Sequence, residues 1–188
     1  MGRIITKMIT KTPIDFLPWE RITTAHMIYG IGTAIKATQI RYDGTGTWPT
    51  ANKAIYVPIY LPGDYFFNKF AVLMGTPNGN IDIGLYSKDT LTKIISTGPT
   101  LTAGTLTVQY ISVPNTIIKA GSYYLALSAN ANANGALPAV MRATPPAPIR
   151  HIIATGTSMQ LSSFPLPSTA TLATPVDDYI PAIGMISV

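Results

Sequence analysis

Between Asn80 and Ser87 the chain reads NIDIGLYS, in which Ile81, Ile83 and Leu85 alternate with Asp82, Gly84 and Tyr86. Successive side chains of a strand point to opposite faces, so the three aliphatic residues share one face and Asp82 shares the other with Tyr86. The same period runs through Ile55, Val57, Ile59 and Leu61, and through Tyr123, Leu125 and Leu127. YFFNKFAVLMG, residues 65–75, is apolar on both faces, as a core strand is. Leu61-Pro62-Gly63-Asp64 and Thr76-Pro77-Asn78-Gly79 are turn sequences, the Asn-Gly pair favouring positive φ. Further short strands are predicted within LTKIISTGPTLTAG and TLTVQYISVP, near Ile149–Ala154 and at Ala182–Val188. Pro58 lacks an N–H, which places its strand at a sheet edge or a bulge. A phase change between Val108 and Ile111 predicts a second irregularity. Short alternating strands separated by turns predict an all-β fold, an antiparallel β-sandwich or jelly roll, over residues 51–188.

Residues 1–50 lack a clean period. They mix β-branched residues with prolines and the glycine pairs Gly30/Gly32 and Gly44/Gly46. The reading is an extended N-terminal arm with one short strand near Ile35–Tyr42. Such a segment buries too little apolar surface of its own to offset the entropy of ordering it. It is therefore expected to become ordered against other chains. Phe16, Leu17, Trp19 and Trp48 are the expected anchors of this arm, and Arg3, Lys7 and Lys11 are expected to face an acidic protein surface.

Composition sharpens this picture. The 188 residues are 47% hydrophobic and 11% charged, with mean hydropathy +0.27. Soluble domains average about 25% charged residues. The surface must therefore be made largely of Thr, Ser, Asn and Tyr, or be covered by other subunits. The net charge is +5, and no carboxylate occurs between Thr90 and Val176. The bases spread along a Thr/Ile-rich segment instead of clustering with aromatics, which argues for a protein partner over nucleic acid. No cysteine is present, so neither disulfides nor thiolate metal sites are expected. No apolar run reaches the about 18 residues of a membrane span, and MGRIITKMITK has no apolar core of a secretory leader.

Candidate chemistry is sparse. By alternation Asp82 is a solvent-facing acid, and Asp89 lies in the turn-forming SKDT. There is one glutamate, Glu20, and two histidines, His26 and His151. Zinc needs three or four ligands, so no metal site and no cofactor is expected. With so few general acids and bases, the chain reads as a non-enzyme. A carbohydrate-binding alternative would use Tyr86, Tyr123 and Tyr124 as stacking platforms and Asn130, Asn132 and Asn134 of the ANANG loop as hydrogen-bonding groups.

An apolar strand containing Val57-Pro58, then GNIDIGLYSKD, STG and IKAGSYYLALSAN, is followed by a Pro-rich tail ending DDYIPAIGMISV. This order resembles the β-sandwich virion proteins of tailed bacteriophages, which include capsid decoration (cement) proteins and modules of head or tail fibres. The resemblance covers residues 51–188 and leaves the arm outside. It implies a homotrimeric particle protein made in the host cytoplasm and carried in the virion. Its partners would be the major capsid protein and its own copies, with no nucleic acid and no membrane. The fibre modules are where the carbohydrate-binding alternative belongs.

Overall fold

A computed structural model describes residues 41–61, 63–144, 158–173 and 180–186. Arg3, Lys7, Lys11, Phe16, Leu17 and Trp19, with the strand expected near Ile149–Ala154, lie outside the described residues. Among those described, the chain forms twelve strands and no helix. In order these are β1 (Arg41–Thr47), β2 (Lys53–Leu61), β3 (Tyr65–Thr76), β4 (Asn80–Ser87), β5 (Lys93–Ser96) and β6 (Thr100–Leu101). Then come β7 (Thr107–Ile118), β8 (Gly121–Ala129), β9 (Ala139–Thr144), β10 (Ser158–Gln160), β11 (Ile180–Pro181) and β12 (Ile183–Ile186).

The strands make two antiparallel sheets. In the first, β3 pairs β7 along one edge and β12 and β9 along the other, while β9 also pairs β1 and β11. The second has the order β10-β2-β8-β4-β5, with β6 also on β4. Register explains the core. The β2–β8 ladder sets Ile55 opposite Leu127 and Val57 opposite Leu125, and β4 continues the rows with Ile83 and Leu85. Their side chains meet Phe67, Phe70, Val72, Met74, Ile183 and Met185 of the first sheet in one buried cluster. Each such side chain, fully buried, contributes roughly 1.5–3 kcal/mol. The predicted all-β sandwich is the observed one.

Three local expectations meet the structure differently. β2 pairs β10 only through Ala54–Tyr56, so at Pro58 it keeps a single paired neighbour, β8, and the missing N–H breaks no ladder. The irregularity expected between Val108 and Ile111 lies further along. The register of β7 on β3 shifts between Ser112 and Thr116, around Pro114. Finally, the sandwich begins before Ala51. β1 pairs β9 from Arg41↔Thr144 to Thr47↔Ala139, with a register shift between Tyr42 and Thr45. Gly44 and Gly46, one of the glycine pairs of the expected arm, sit in and beside this bulge.

Trp48 is corrected with it. Its side chain is 1% exposed and belongs to the core cluster between the sheets. Its backbone N–H donates to the Pro138 carbonyl at 2.8 Å and its indole Nε1–H to the Lys53 carbonyl at 3.0 Å. A tryptophan spent inside its own sandwich does not anchor the chain to another subunit.

Candidate functional site

The outer face of the second sheet is where alternation placed Asp82 and Tyr86, and solvent does not reach either residue. After β10 the chain crosses this face as a strap, residues 161–173. Leu166 and Ala170 of the strap pack with Ala54, Tyr56, Tyr86, Tyr124 and Ala126 in a second buried cluster. Hydrogen bonds tie the strap to the sheet at both ends. Lys93 N–H donates to the Ser168 carbonyl at 2.8 Å and Ala170 N–H to the Leu91 carbonyl at 2.8 Å, beside β5. Ala173 N–H donates to the Met159 carbonyl at 2.8 Å, beside β10. The strap thus bonds to the sheet beside β5 and beside β10, while Val57–Leu61 of β2 have β8 alone as ladder partner.

Asp82 holds the middle of the strap and is fully buried, not solvent-facing as expected. Its Oδ2 accepts the Leu166 N–H at 2.9 Å, and its Oδ1 lies 3.3 Å from the Thr97 hydroxyl. Lys93 Nζ donates to the Leu166 carbonyl at 2.7 Å. One peptide residue therefore has its N–H and its C=O taken by two side chains of adjacent strands. Gly84 makes room for it, since a Cβ there would stand 2.9 Å from Leu166 Cδ1 and 3.1 Å from the Ile95 carbonyl oxygen. The phenols are spent in the same way. Tyr86 donates to the Pro167 carbonyl and Tyr56 to Gln160 Oε1 at 2.9 Å, with the two rings edge to face at 5.3 Å. Burial raises both phenols, Tyr56 to about 12, so they remain neutral donors.

Burial also raises the Asp82 carboxyl above its ordinary 3.8, against the Leu166 N–H and the nearby Lys93 and Thr97, which pull it down. A folded-state pKa above the unfolded one means the folded protein binds the proton more tightly. The associated stability is complete below about pH 3.8 and is lost as pH rises through the folded pKa. Asp82→Asn keeps an acceptor for Leu166 N–H and removes this titration. The stability difference between Asn variant and parent, from urea midpoints, should shift in favour of the variant between pH 3.5 and 7, by about 1.4 kcal/mol per unit of pKa elevation. A difference that stays flat with pH would show that Asp82 ionises in the fold as it does in water.

The carbohydrate-binding residues do not converge. Tyr86 is buried and Tyr124 nearly so, both under the strap. Tyr123 is half-buried and donates to the Lys119 carbonyl at 2.8 Å. Asn130 Oδ1 accepts Asn80 N–H at 2.8 Å, and Asn132 Oδ1 accepts the N–H groups of Asn134 and Ala136 at 2.9 Å each. The amide of Asn132 reaches Asn78 Oδ1 at 3.3 Å. These asparagines brace their own loop, while Asn134 is exposed. Tyr123 and the loop lie at opposite ends of β8, about 20 Å apart at the rise of an extended strand. They are not one site.

The surface that stays open is on the first sheet. β7 pairs β3 along one edge, and its other edge has no backbone partner among the described residues. Leu106, Val108 and Tyr110 alternate along it and are exposed, Leu106 by 67% and Tyr110 by 60%. Leu101, 69% exposed, belongs to β6 of the second sheet, and Gln109, on the other face of β7 opposite Val72, donates to its carbonyl and accepts Ala103 N–H, each at 2.9 Å. Beside the stripe, Val108 faces Leu73 and Tyr110 faces Ala71 across the ladder. At the far end Phe66 and Ile117 form an exposed cross-strand pair. By its sequence TLTVQYISVP is one more strand; its edge position is set by topology alone.

Among the described residues no group of three or more His, Cys, Asp or Glu is placed to hold a metal ion. Asp64 is exposed and paired with Lys119 at 2.8 Å, and Asp89 lies on an exposed turn. No known family matches the sequence, and no curated protein or solved structure is similar to it.

Proposed function

We propose that this chain is a structural component of a protein shell, a decoration or cement protein that stabilises an assembled particle by binding across its subunits. The observation that carries the reading is the open apolar stripe of Leu106, Val108 and Tyr110 along β7, a strand paired on one edge only among the described residues. Apolar residues aligned along a bare edge favour contact with another protein chain. The strap covers the middle of the second sheet's outer face, whereas the β7 stripe of the first sheet stays open. The basic residues Arg3, Lys7 and Lys11 would add attraction to an acidic subunit surface. The resemblance to tailed-phage virion proteins supplies the identity of the shell, with the major capsid protein as partner.

A ligand that binds only the assembled lattice stabilises it by mass action. Particles lacking this chain should therefore disrupt at a lower temperature than particles saturated with it, and adding purified chain should restore the difference. Replacing Arg3, Lys7 and Lys11 together with glutamate should weaken the restoration. Particles that neither retain the chain nor change their disruption temperature would overturn the proposal.

A further inference from the structure

We infer that β7 pairs with the β7 of a second copy, antiparallel about a two-fold axis, joining the two first sheets into one continuous sheet. The inference deepens the reading of the stripe as a contact surface and rests on it, but it needs no shell.

β7 lacks the usual protection of an edge strand. Exposed edge strands are ordinarily protected from pairing by charges, prolines, bulges or a covering loop. TVQYISV, residues 107–113, carries no charged residue and no proline. The irregularity around Pro114 begins only at its end. The second sheet shows the contrast: the strap bonds to it beside β5 and β10, and the open length of β2 carries Pro58.

The missing charge also selects the occupant. In a two-fold contact every group near the axis meets its own copy, so a charged strand repels itself. A neutral strand on a chain of net charge +5 is a place where two copies can approach without that cost. The nearest cation on the neighbouring strand is Lys69, opposite Ser112 on β3. Across β3, β7 and their two mates, the Lys69 pair would stand at least about 14 Å apart, at about 4.8 Å per strand. That exceeds the screening length of about 8 Å at physiological salt. Lys119 is already neutralised by Asp64 at 2.8 Å.

Register follows from the ends of the usable strand. Leu106 precedes it and Pro114, without an N–H, ends it, which puts the centre at Tyr110. Antiparallel pairing centred there sets Tyr110 opposite its copy and Val108 opposite Ser112 of the second copy. The exposed aromatic and aliphatic groups then lie on one face of the joined sheet, where direct cross-strand pairs of this kind stabilise it.

The test is the mass of the purified full chain in solution, by light scattering on a sizing column. At about 100 µM the expected species is a dimer of the 20.1 kDa chain. Val108→Lys with Tyr110→Lys puts like charges across the axis and should give a monomer with unchanged far-UV circular dichroism. Both positions are exposed, so the fold should tolerate them. Leu161→Lys, equally exposed on the strap, should remain dimeric. A monomeric parent, a trimer, or a dimer that survives the double lysine change would overturn the inference. If the parent is monomeric and still stabilises particles, two-fold pairing fails while the shell proposal stands.

Discussion

Trp48→Ala should lower the stability of the isolated chain by about 3–5 kcal/mol, as large-to-small changes of buried aromatics do. For a chain of this length that corresponds to a fall in Tm of roughly 6–20 °C. The indole fills space between the sheets with 1% exposure and also holds the Lys53 carbonyl at the start of β2. Truncation leaves a cavity and removes the donor from that carbonyl. The result separates two roles for this residue. An anchor for a foreign subunit would leave the free chain as stable as the parent and weaken only its association. A core residue lowers the thermal midpoint of the chain by itself. A midpoint within a degree or two of the parent would return Trp48 to the arm.

The second large effect is expected at Gly79. Two glycines have nearly the same backbone, Gly79 with φ +63° and Gly98 with φ +66°. Alanine at either must adopt the left-handed region, at a cost of about 1–3 kcal/mol. Their surroundings differ. A Cβ at Gly98 meets nothing within 4 Å. One at Gly79 would stand 2.3 Å from the Asn130 carbonyl oxygen and 2.9 Å from the Ala131 carbonyl carbon. Those are backbone atoms of the loop that Asn132 braces, so the loop must move. Gly79→Ala should therefore cost about 1–3 kcal/mol more than Gly98→Ala, the range seen for overpacking. Paired denaturant midpoints measure the difference. Equal costs would mean that the 130–136 loop does not pack on the 76–79 turn.

What could be read from sequence was set by whether a feature is local. The alternation of Ile81, Ile83 and Leu85 placed them on the core side correctly, because a strand's period is a property of its own backbone. What covers the other face is a matter of topology. Asp82 and Tyr86 were assigned to solvent because strand faces alternate, and the strap from a segment some 80 residues away buries them. A hint was present in the neighbours. KAIYVPIYL and GSYYLALSA carry Tyr56 and Ala54, and Tyr124 and Ala126, on the face opposite their core residues. Strands apolar on both sides are covered on both sides. The Pro-rich SSFPLPSTATLA is the segment that lies across them. Trp48 was misassigned for a related reason. The glycine pairs of residues 1–50 read as an extended arm, whereas β9 supplies a partner that keeps Arg41–Thr47 in the sheet.

The asymmetry between the two sheets is the claim on which the rest depends, and amide hydrogen exchange of the dilute, monomeric chain reads it residue by residue. Leu166 and Ala170 N–H, bound to Asp82 and to the Leu91 carbonyl, should exchange as slowly as the core strands β2, β4 and β8. Along Thr107–Val113, the amides directed away from β3 should exchange near the rate of an unstructured peptide and slow as concentration rises. Fast exchange throughout the strap, with uniform protection of β7 at every concentration, would contradict the account.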